Sequence, residues 1–402
     1  MKPQFKQPHT GPVVVAMLGS LPPLRALSSY CLALSLAMAD LVNIVFLSFH
    51  KIYPSFLYPG GQLKDDDTFP EVRHPNLRIR RLLTWSNPIT WLWEGWFTRA
   101  DMIHAQWWSL PLFPIYVVVC LGFRLRRKPI VFTVHNVLDH EQSRSFTLAS
   151  GLLFRLSDHF IVHSLQNKTQ LLKYYRIPEK RITVIPLGPL DSHTNESLSR
   201  KAARARLNIR PEEKMILLFG AVRPYKGIRT AIAALERVRR KLPKVRLVIA
   251  GKLWEDWHPY STQIKELNLS QHVDTYLHYI PADMVSLFFT AADLVLLPYH
   301  HFDSQSAVGA TAVSFRKPMI VSNVGGLPDL VGNPDSVVPP KNEAALADAI
   351  IRSLSEPGRL ATMEKEIHNV ANRTAWPAIA KTLFSVYKNL MRDTGREIKQ
   401  ND

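Results

Sequence analysis

The amino-acid sequence predicts an α/β protein made of two doubly wound parallel sheets, and three observations carry that expectation. Short β-branched or apolar runs alternate with longer helical patterns along almost the whole chain. The runs are continuously apolar, as strands covered on both faces by crossover helices must be. Near the middle, Leu187 to Glu213 is rich in Gly, Pro, Ser, Asn and charge, so one array ends before another begins. A length of 402 residues fits two or three domains at roughly 150 residues each.

In the first array the strands fall at Val13–Met17, Asn43–Phe49, Asp101–His104, Ile130–His135, His159–His163 and Thr183–Pro186. Helical spacing of apolar residues places helices at Ser28–Ala39, Leu110–Arg124 and Leu165–Tyr175. A short basic helix follows at Ser199–Leu207. The second array has strands at Met215–Gly220, Val245–Ala250, Val273–His278, Leu294–Pro298, Met319–Ser322 and Ser336–Val338. Helices then run from Glu343 to Met391, interrupted near Trp376-Pro377. About six strands per domain result, with a first domain over 1–188, a second over 189–375, and a last helix at 376–392 packing back on the first. Two such domains facing each other bring the C-terminal ends of their strands, where doubly wound folds bind ligands, to either side of a cleft.

Hydrophobic residues make up 46% of the chain and charged residues 21%, which excludes a disordered or collagen-like protein. Cys31 and Cys120, the two cysteines, sit inside apolar runs and read as buried thiols; a disulfide framework and a cysteine zinc site are excluded. No uncharged apolar stretch reaches the roughly 18 residues of a spanning helix. The nearest, Ser109 to Phe123, contains two prolines and closes with Arg124, Arg126, Arg127 and Lys128, and reads as a buried helix. Met1 to Thr10 is polar and lacks a cleavable signal pattern, so a cytoplasmic protein, soluble or surface-bound, is expected. The formal net charge of +17 attracts polyanions in general. Neither an aromatic-basic RNA motif nor a DNA-reading helix pattern accompanies it, so nucleic acid is not the expected partner.

Chemistry-bearing residues follow three strands of the second array. In Gly220-Ala221-Val222-Arg223-Pro224-Tyr225-Lys226-Gly227, a strand ends at a small residue, a loop presents two cations, and a helix begins. A helix N-terminus offers free amides and partial positive charge to an anion. Arg223 can grip phosphate oxygens bidentately, and Lys226 adds a mobile point charge. A surface loop with solvated cations is the plainer reading, and the Gly-Lys-Ser/Thr order of a Walker loop is absent. The segment Pro298 to Val308 follows another strand and opens another helix. Asp303 supplies a carboxylate for sugar hydroxyls, and the amides of Ser306, Ala307 and Val308 are placed to face a phosphate. Asp303 or Ser304 also fits as a simple helix cap. Last, Asn323-Val324-Gly325-Gly326-Leu327-Pro328-Asp329 pairs two glycines that permit close backbone approach or a tight turn.

In order and spacing these segments resemble the nucleotide-sugar half of a GT-B glycosyltransferase of the family 4 type. The carriers are Gly-x-x-Arg-x-x-Lys-Gly, Ala-Ala-Asp-Leu-Val-Leu-Leu-Pro-Tyr, Gln-Ser-x-Val with Lys-Pro, and Val-Gly-Gly-Leu-Pro-Asp. In the first array Val131-Phe132-Thr133-Val134-His135-Asn136-Val137-Leu138, with His140-Glu141, resembles the same family's acceptor-domain histidine loop. The resemblance covers residues 100–335 and implies two Rossmann-like domains, the first for the acceptor and the second for the donor. It implies retaining transfer of a sugar from a UDP or GDP donor to a hydroxyl acceptor, with no metal and no cofactor. Arg223 and Lys226 match the cations that neutralise the leaving diphosphate, where charge builds in the transition state. His135 matches the histidine near the reacting carbon, and Tyr279 and Ile280 the loop whose backbone reads the base. Asp303 joins the catalytic set, while Gly220, Gln305, Ser306, Ala307, Val308 and Thr311 match donor-binding positions. Asn136, His140 and Glu141 lie on the acceptor side, where Trp107, following a strand, is expected to stack on a sugar ring.

One departure matters. The family commonly has two glutamates eight apart ahead of Lys317-Pro318, and the matching positions here are Asp303 and Thr311. The first is shorter and the second, which usually holds the ribose, is lost. That motivates an alternative: a catalytically weakened GT-B protein that binds nucleotide sugar or glycan within a complex. Asp65-Asp66-Asp67 contains an Asp-x-Asp, but its Gly- and charge-rich setting reads as a solvated loop, and no metal is assigned. Trp85, Trp91, Trp93, Trp96 and Phe97 crowd one segment near Arg73, Arg78, Arg80 and Arg81, with Trp107 and Trp108 beyond. This suggests docking on an anionic membrane surface and a lipid-linked acceptor for exopolysaccharide or glycoconjugate synthesis at the inner face of the cell membrane. A core of tryptophans is the alternative.

Overall fold

The computed structural model describes residues 13–21, 27–52, 73–138, 144–188, 198–302 and 305–393. The chain forms two compact units, Met1–Gly188 with Trp376–Asp402, and Pro189–Ala375.

Unit 1 is built on seven parallel strands: β1 (Val14–Leu18), β2 (Asn43–Lys51), β3 (Leu77–Thr84), β4 (Met102–Trp107), β5 (Ile130–Val134), β6 (His159–Val162) and β7 (Ile182–Val184). Their spatial order is β3-β2-β1-β4-β5-β6-β7, so the winding reverses between β1 and β4. Central strands β4 and β5 are buried along their whole length and are mainly apolar, broken by His104 and Gln106 in β4 and by Thr133 in β5. Helices α1 (Ser28–Ala39), α2 (Pro88–Phe97), α3 (Phe113–Leu125), α4 (Arg144–Phe154) and α5 (Leu165–Tyr175) connect them.

The seventh strand corrects the expectation of six. β3 reads Leu-Arg-Ile-Arg-Arg-Leu-Leu-Thr and lies at the sheet edge, where only Leu83 is buried. Edge strands carry charge that blocks further pairing, and that charge hides them from a search for apolar runs. Helix α2 starts with Pro88 behind Asn87, whose side chain accepts from Ile89 N at 3.1 Å. It crosses α3 backbone to backbone: a Cβ on Gly122 would stand 2.5 Å from Gly95 O. Arg126 ties the two helix ends together, donating to Thr98 O and to Gly95 O at 2.8 Å each.

The tryptophans divide. Trp107, expected to stack on an acceptor sugar, is instead a core residue: it is fully buried, stacks on Phe146 at 5.9 Å, and donates its Nε1–H to Ser150 Oγ at 3.0 Å. Trp91 is buried too, while Trp93, Trp96 and Phe97 stand at least half exposed on α2.

Unit 2 has six parallel strands: β8 (Lys214–Phe219), β9 (Val245–Ala250), β10 (Val273–Tyr276), β11 (Leu294–Leu297), β12 (Met319–Ser322) and β13 (Val337–Val338), in the order β10-β9-β8-β11-β12-β13. Its helices are α6 (Arg200–Arg206), α7 (Ile228–Lys241), α8 (His258–Glu266), α9 (Ala282–Ala291), α10 (Ala307–Ser314), α11 (Glu343–Ser355) and α12 (Arg359–Thr374). Buried Asp293 anchors the sheet's base, accepting from Met215 N at 2.8 Å and pairing with Arg204 at 3.1 Å and with Arg200. The last helix, α13 (Trp376–Asp393), returns to unit 1 and packs on α1. No helix among the described residues is long and apolar enough to cross a membrane.

Candidate functional site

In unit 2 the winding reverses between β8 and β11, and the expected cations stand at the C-terminal end of β8. Doubly wound sheets open a crevice at such a point. Pro224–Lys226 forms a single 3-10 turn, and Gly227 at φ 70° starts α7. A Cβ at Gly227 would lie 1.9 Å from Pro298 O, so only glycine lets the loop after β8 lie against the loop after β11. His300 N donates to Tyr225 O at 2.7 Å across the same seam. The structure thereby brings Gly220, Lys226 and Val308 together: a Cβ on Gly220 would meet Val308 Cγ2 at 3.0 Å and Lys226 Nζ at 3.4 Å.

Lys226 is buried, and among the described residues no carboxylate pairs with it. Its Nζ donates to Tyr299 Oη at 2.5 Å and lies 4.4 Å from the Tyr299 ring centroid. Burial, outweighing the other influences, pulls its pKa down to about 8. Tyr299 Oη in turn meets Ser306 Oγ at 3.1 Å. Ser306 caps α10, its hydroxyl accepting from Gly309 N at 3.3 Å. A lysine, a tyrosine and a helix N-terminus therefore converge, an arrangement suited to a phosphate. Arg223 lies over the Trp254 ring at 4.0 Å, and the Val222–Leu253 bridge holds the loops after β8 and β9 side by side.

The remaining donor positions vary. Gln305 and Ser306 are buried, Ala307 is exposed and Val308 half-buried. Thr311 is buried within α10 with its hydroxyl donating to Ala307 O at 3.0 Å. Tyr279 is exposed and Ile280 half-buried between β10 and α9. Asp303 and Ser304 lie outside the described residues, as do His140, Glu141 and the run Asp65-Asp66-Asp67.

In unit 1 the strands β4, β5 and β6 deliver a buried polar network that is only faintly visible in the amino-acid pattern. His135, just past β5, shares it with His104 and Gln106 of β4 and His163 past β6. The Ile185 carbonyl can only accept, so His163 Nδ1 carries a proton and donates to it at 2.9 Å. Burial pulls His163 down to about 4, leaving its Nε2 bare to accept from His135 Nδ1–H at 3.2 Å. His135 Nε2 is then a lone pair. Gln106 Oε1 stands 3.0 Å from it; two acceptors repel at that distance, and a half-turn of the amide presents the NH2 instead. His104 Nδ1 meets Tyr387 Oη of α13 at 2.6 Å, and its Nε2 meets Thr133 Oγ1 at 2.7 Å. Burial first, then the neighbouring imidazoles, hold His135 well below the ordinary histidine range. Tyr30 of α1 packs edge-on against His135 and His163 at 4.9 and 5.3 Å. Asn136 donates to Trp108 O at 3.0 Å and fixes the loop. Polar residues inside a wholly buried strand, His104 and Gln106 in β4, were the available signal.

Residues 28–188 match the Glycosyltransferase Family 4 model, and residues 199–370 match the model for glycosyl transferases group 1. A D-inositol 3-phosphate glycosyltransferase of Segniliparus rotundus is 26% identical over 74% of this chain and 68% of its own length. An uncharacterized glycosyltransferase of Methanocaldococcus jannaschii is 27% identical over 74% of this chain and 77% of its own. Among solved structures, Anabaena HepE in complex with UDP and glucose superposes with a TM-score of 0.69 at 17% identity, covering 94% of this chain and 100% of that one. Sucrose-phosphate synthase from Thermosynechococcus elongatus gives 0.67 at 20% identity, covering 95% and 100%. With two parallel-sheet α/β units and two family models that between them take in most of its length, the chain belongs to the group 1 glycosyltransferases of the GT-B fold.

Proposed function

We propose that this glycosyltransferase moves a sugar from a UDP or GDP donor to a hydroxyl acceptor, with retention at the anomeric carbon and without a metal ion or cofactor. The observation that carries the donor reading is Lys226, a buried ammonium with no carboxylate partner among the described residues, beside the capped N-terminus of α10. A lone buried cation is unfavourable until an anion joins it. A diphosphate supplies that anion. As the bond from the anomeric carbon to the phosphate oxygen breaks, negative charge gathers on the leaving group, and cations already in place stabilise it most. Arg223, held over Trp254, is the second cation of this proposal. HepE, a structural neighbour, is described with UDP and with UDP-glucose, in keeping with such a donor. Retention and the role of His135 rest on the family resemblance.

For the acceptor we propose a lipid-linked oligosaccharide extended at the inner membrane face. Relatives named D-inositol 3-phosphate glycosyltransferase favour a second reading, a phosphorylated cyclitol. A catalytically weakened protein is the third: Thr311 turns its hydroxyl to its own helix rather than toward a ribose.

The test is the melting temperature with UDP, GDP and their sugars, with and without EDTA, for the native chain and Arg223→Ala. A ligand at 100 times its Kd adds about 2.7 kcal/mol. A shift with one nucleotide, insensitive to EDTA and lost in the variant, is expected. No shift with any nucleotide overturns the donor site.

A further inference from the structure

Exposed large apolar side chains are unevenly distributed. Nine stand on three consecutive helices of unit 1: Ile89, Leu92, Trp93, Trp96 and Phe97 on α2, Leu121 and Leu125 on α3, and Leu148 and Leu152 on α4. In unit 2 only Trp254 and Tyr279 are comparably exposed among the described residues. The three helices form one layer, α2 packing on α3 and α3 on α4. They carry a single carboxylate between them, Glu94, which is buried and paired with Arg80 at 3.2 Å.

At the C-terminal ends of α3 and α4 lies a cavity of about 560 Å3. Arg124, Arg127, Lys128, Arg155 and Arg181 line it, with Asp158 as the one acidic residue. Asp158 is already engaged, accepting from Ile130 N at 2.9 Å and pairing with Arg124 at 2.8 Å. Arg127 and Arg155 are exposed and have no partner among the described residues. Leu125 adjoins Arg124 in α3, Leu152 precedes Arg155 by one helical turn, and Arg126 fastens the end of α2 to the end of α3. Apolar layer and basic cavity are thus continuous.

We propose that this face docks on a bilayer containing anionic phospholipid, the side chains of α2, α3 and α4 entering the interfacial layer and the cavity taking a lipid phosphodiester. The proposal rests on the membrane association suggested above and names the surface that provides it. Tryptophan beside arginine suits the headgroup level, and the cations meet phosphate there. A second copy of the chain suits the face poorly. Two-fold pairing would bring these cations together with no exposed carboxylate on the three helices to receive them.

The test is co-sedimentation of the full chain with vesicles of phosphatidylcholine alone or with 30% phosphatidylglycerol, the composition being about a third anionic to mimic an anionic leaflet. Intrinsic tryptophan fluorescence with brominated lipid is read in parallel. Binding only to the anionic vesicles, reduced in high salt and with Trp quenching, is expected. Arg127→Asn with Arg155→Gln should weaken binding roughly tenfold or more. Trp93→Ser with Trp96→Ser should abolish quenching. All these residues are exposed, so an unchanged melting temperature and an unchanged UDP shift serve as controls, and the UDP shift reads the donor proposal separately. Equal binding to both vesicles, or variants that bind like the native chain, overturns the assignment. So does a change in oligomeric mass without a change in vesicle binding, which marks a self-association face. Stabilisation by inorganic phosphate without vesicle binding overturns the lipid source and leaves a soluble phosphorylated ligand.

Discussion

Replacing Lys226 by methionine keeps the volume of the side chain and removes a charge that no carboxylate among the described residues compensates. Without ligand, Lys226→Met should be more stable by about 1 kcal/mol or more, since an isolated buried charge is worse than an apolar isostere. With UDP the variant should show no thermal shift. The pH dependence has a definite sign. Lys226 titrates at about 8 in the folded chain, below the ordinary lysine value, so the unfolded chain binds more protons between about 8 and 10.4. Ligand-free stability therefore rises with pH through that window, and half-buried Lys317, also brought to about 8 mainly by burial, adds to it in the same direction. The UDP-induced shift should fall over the same range as the cation is lost. Melting curves at pH 7 to 10, with and without UDP, check both. Arg223, Lys226 and Gly227 were legible in the sequence because they stand together in one short segment that follows an apolar strand and opens a helix. Tyr299, Gln106 and His163 were not, because each acquires its role from a residue more than twenty positions away.

At the scale of elements, two helical glycines make opposite forecasts. Gly122→Ala in α3 drives a methyl group against Gly95 O of α2 and should cost about 1–3 kcal/mol through overpacking. Gly151→Ala in α4 meets only Tyr175 side-chain atoms, at 3.7 Å and beyond, and should gain up to about 1 kcal/mol from helix propensity. Urea denaturation of the two variants decides it; similar effects would contradict the backbone contact between α2 and α3. Strands buried on both faces were read from sequence to within a residue or two, as β9 and β12 show, because burial leaves an unbroken apolar run. β3, α2 and α4 escaped. The first is a charged edge strand, and the helices alternate buried and exposed apolar residues, so periodicity gives no polar face to mark them.

For the molecule as a whole, the buried histidines are unequally shared. His104, His135 and His163 all belong to unit 1, where burial lowers His104 to about 3 and His163 to about 4. Unit 2 has no buried histidine among its described residues. A folded-state pKa below the unfolded value means that the unfolded chain takes up more protons as the pH drops from about 6.5 toward 4, each unit of depression costing about 1.4 kcal/mol. Unit 1 should accordingly lose more stability across that range than unit 2, where partial burial lowers His300. Calorimetry at pH 7 and 4.5 is expected to show the unit 1 transition moving to lower temperature. A pair of transitions that shift together would contradict it.

The return of α13 also orders events during synthesis. Residues 189–375 form a complete unit and emerge from the ribosome ahead of Trp376 and Tyr387, which meet Tyr30 and His104. Domains fold as units while the chain emerges at roughly 5–20 residues per second. The half of the protein that is translated first is therefore the half that finishes second: its histidine network stays without its Tyr387 partner until the closing helix is made.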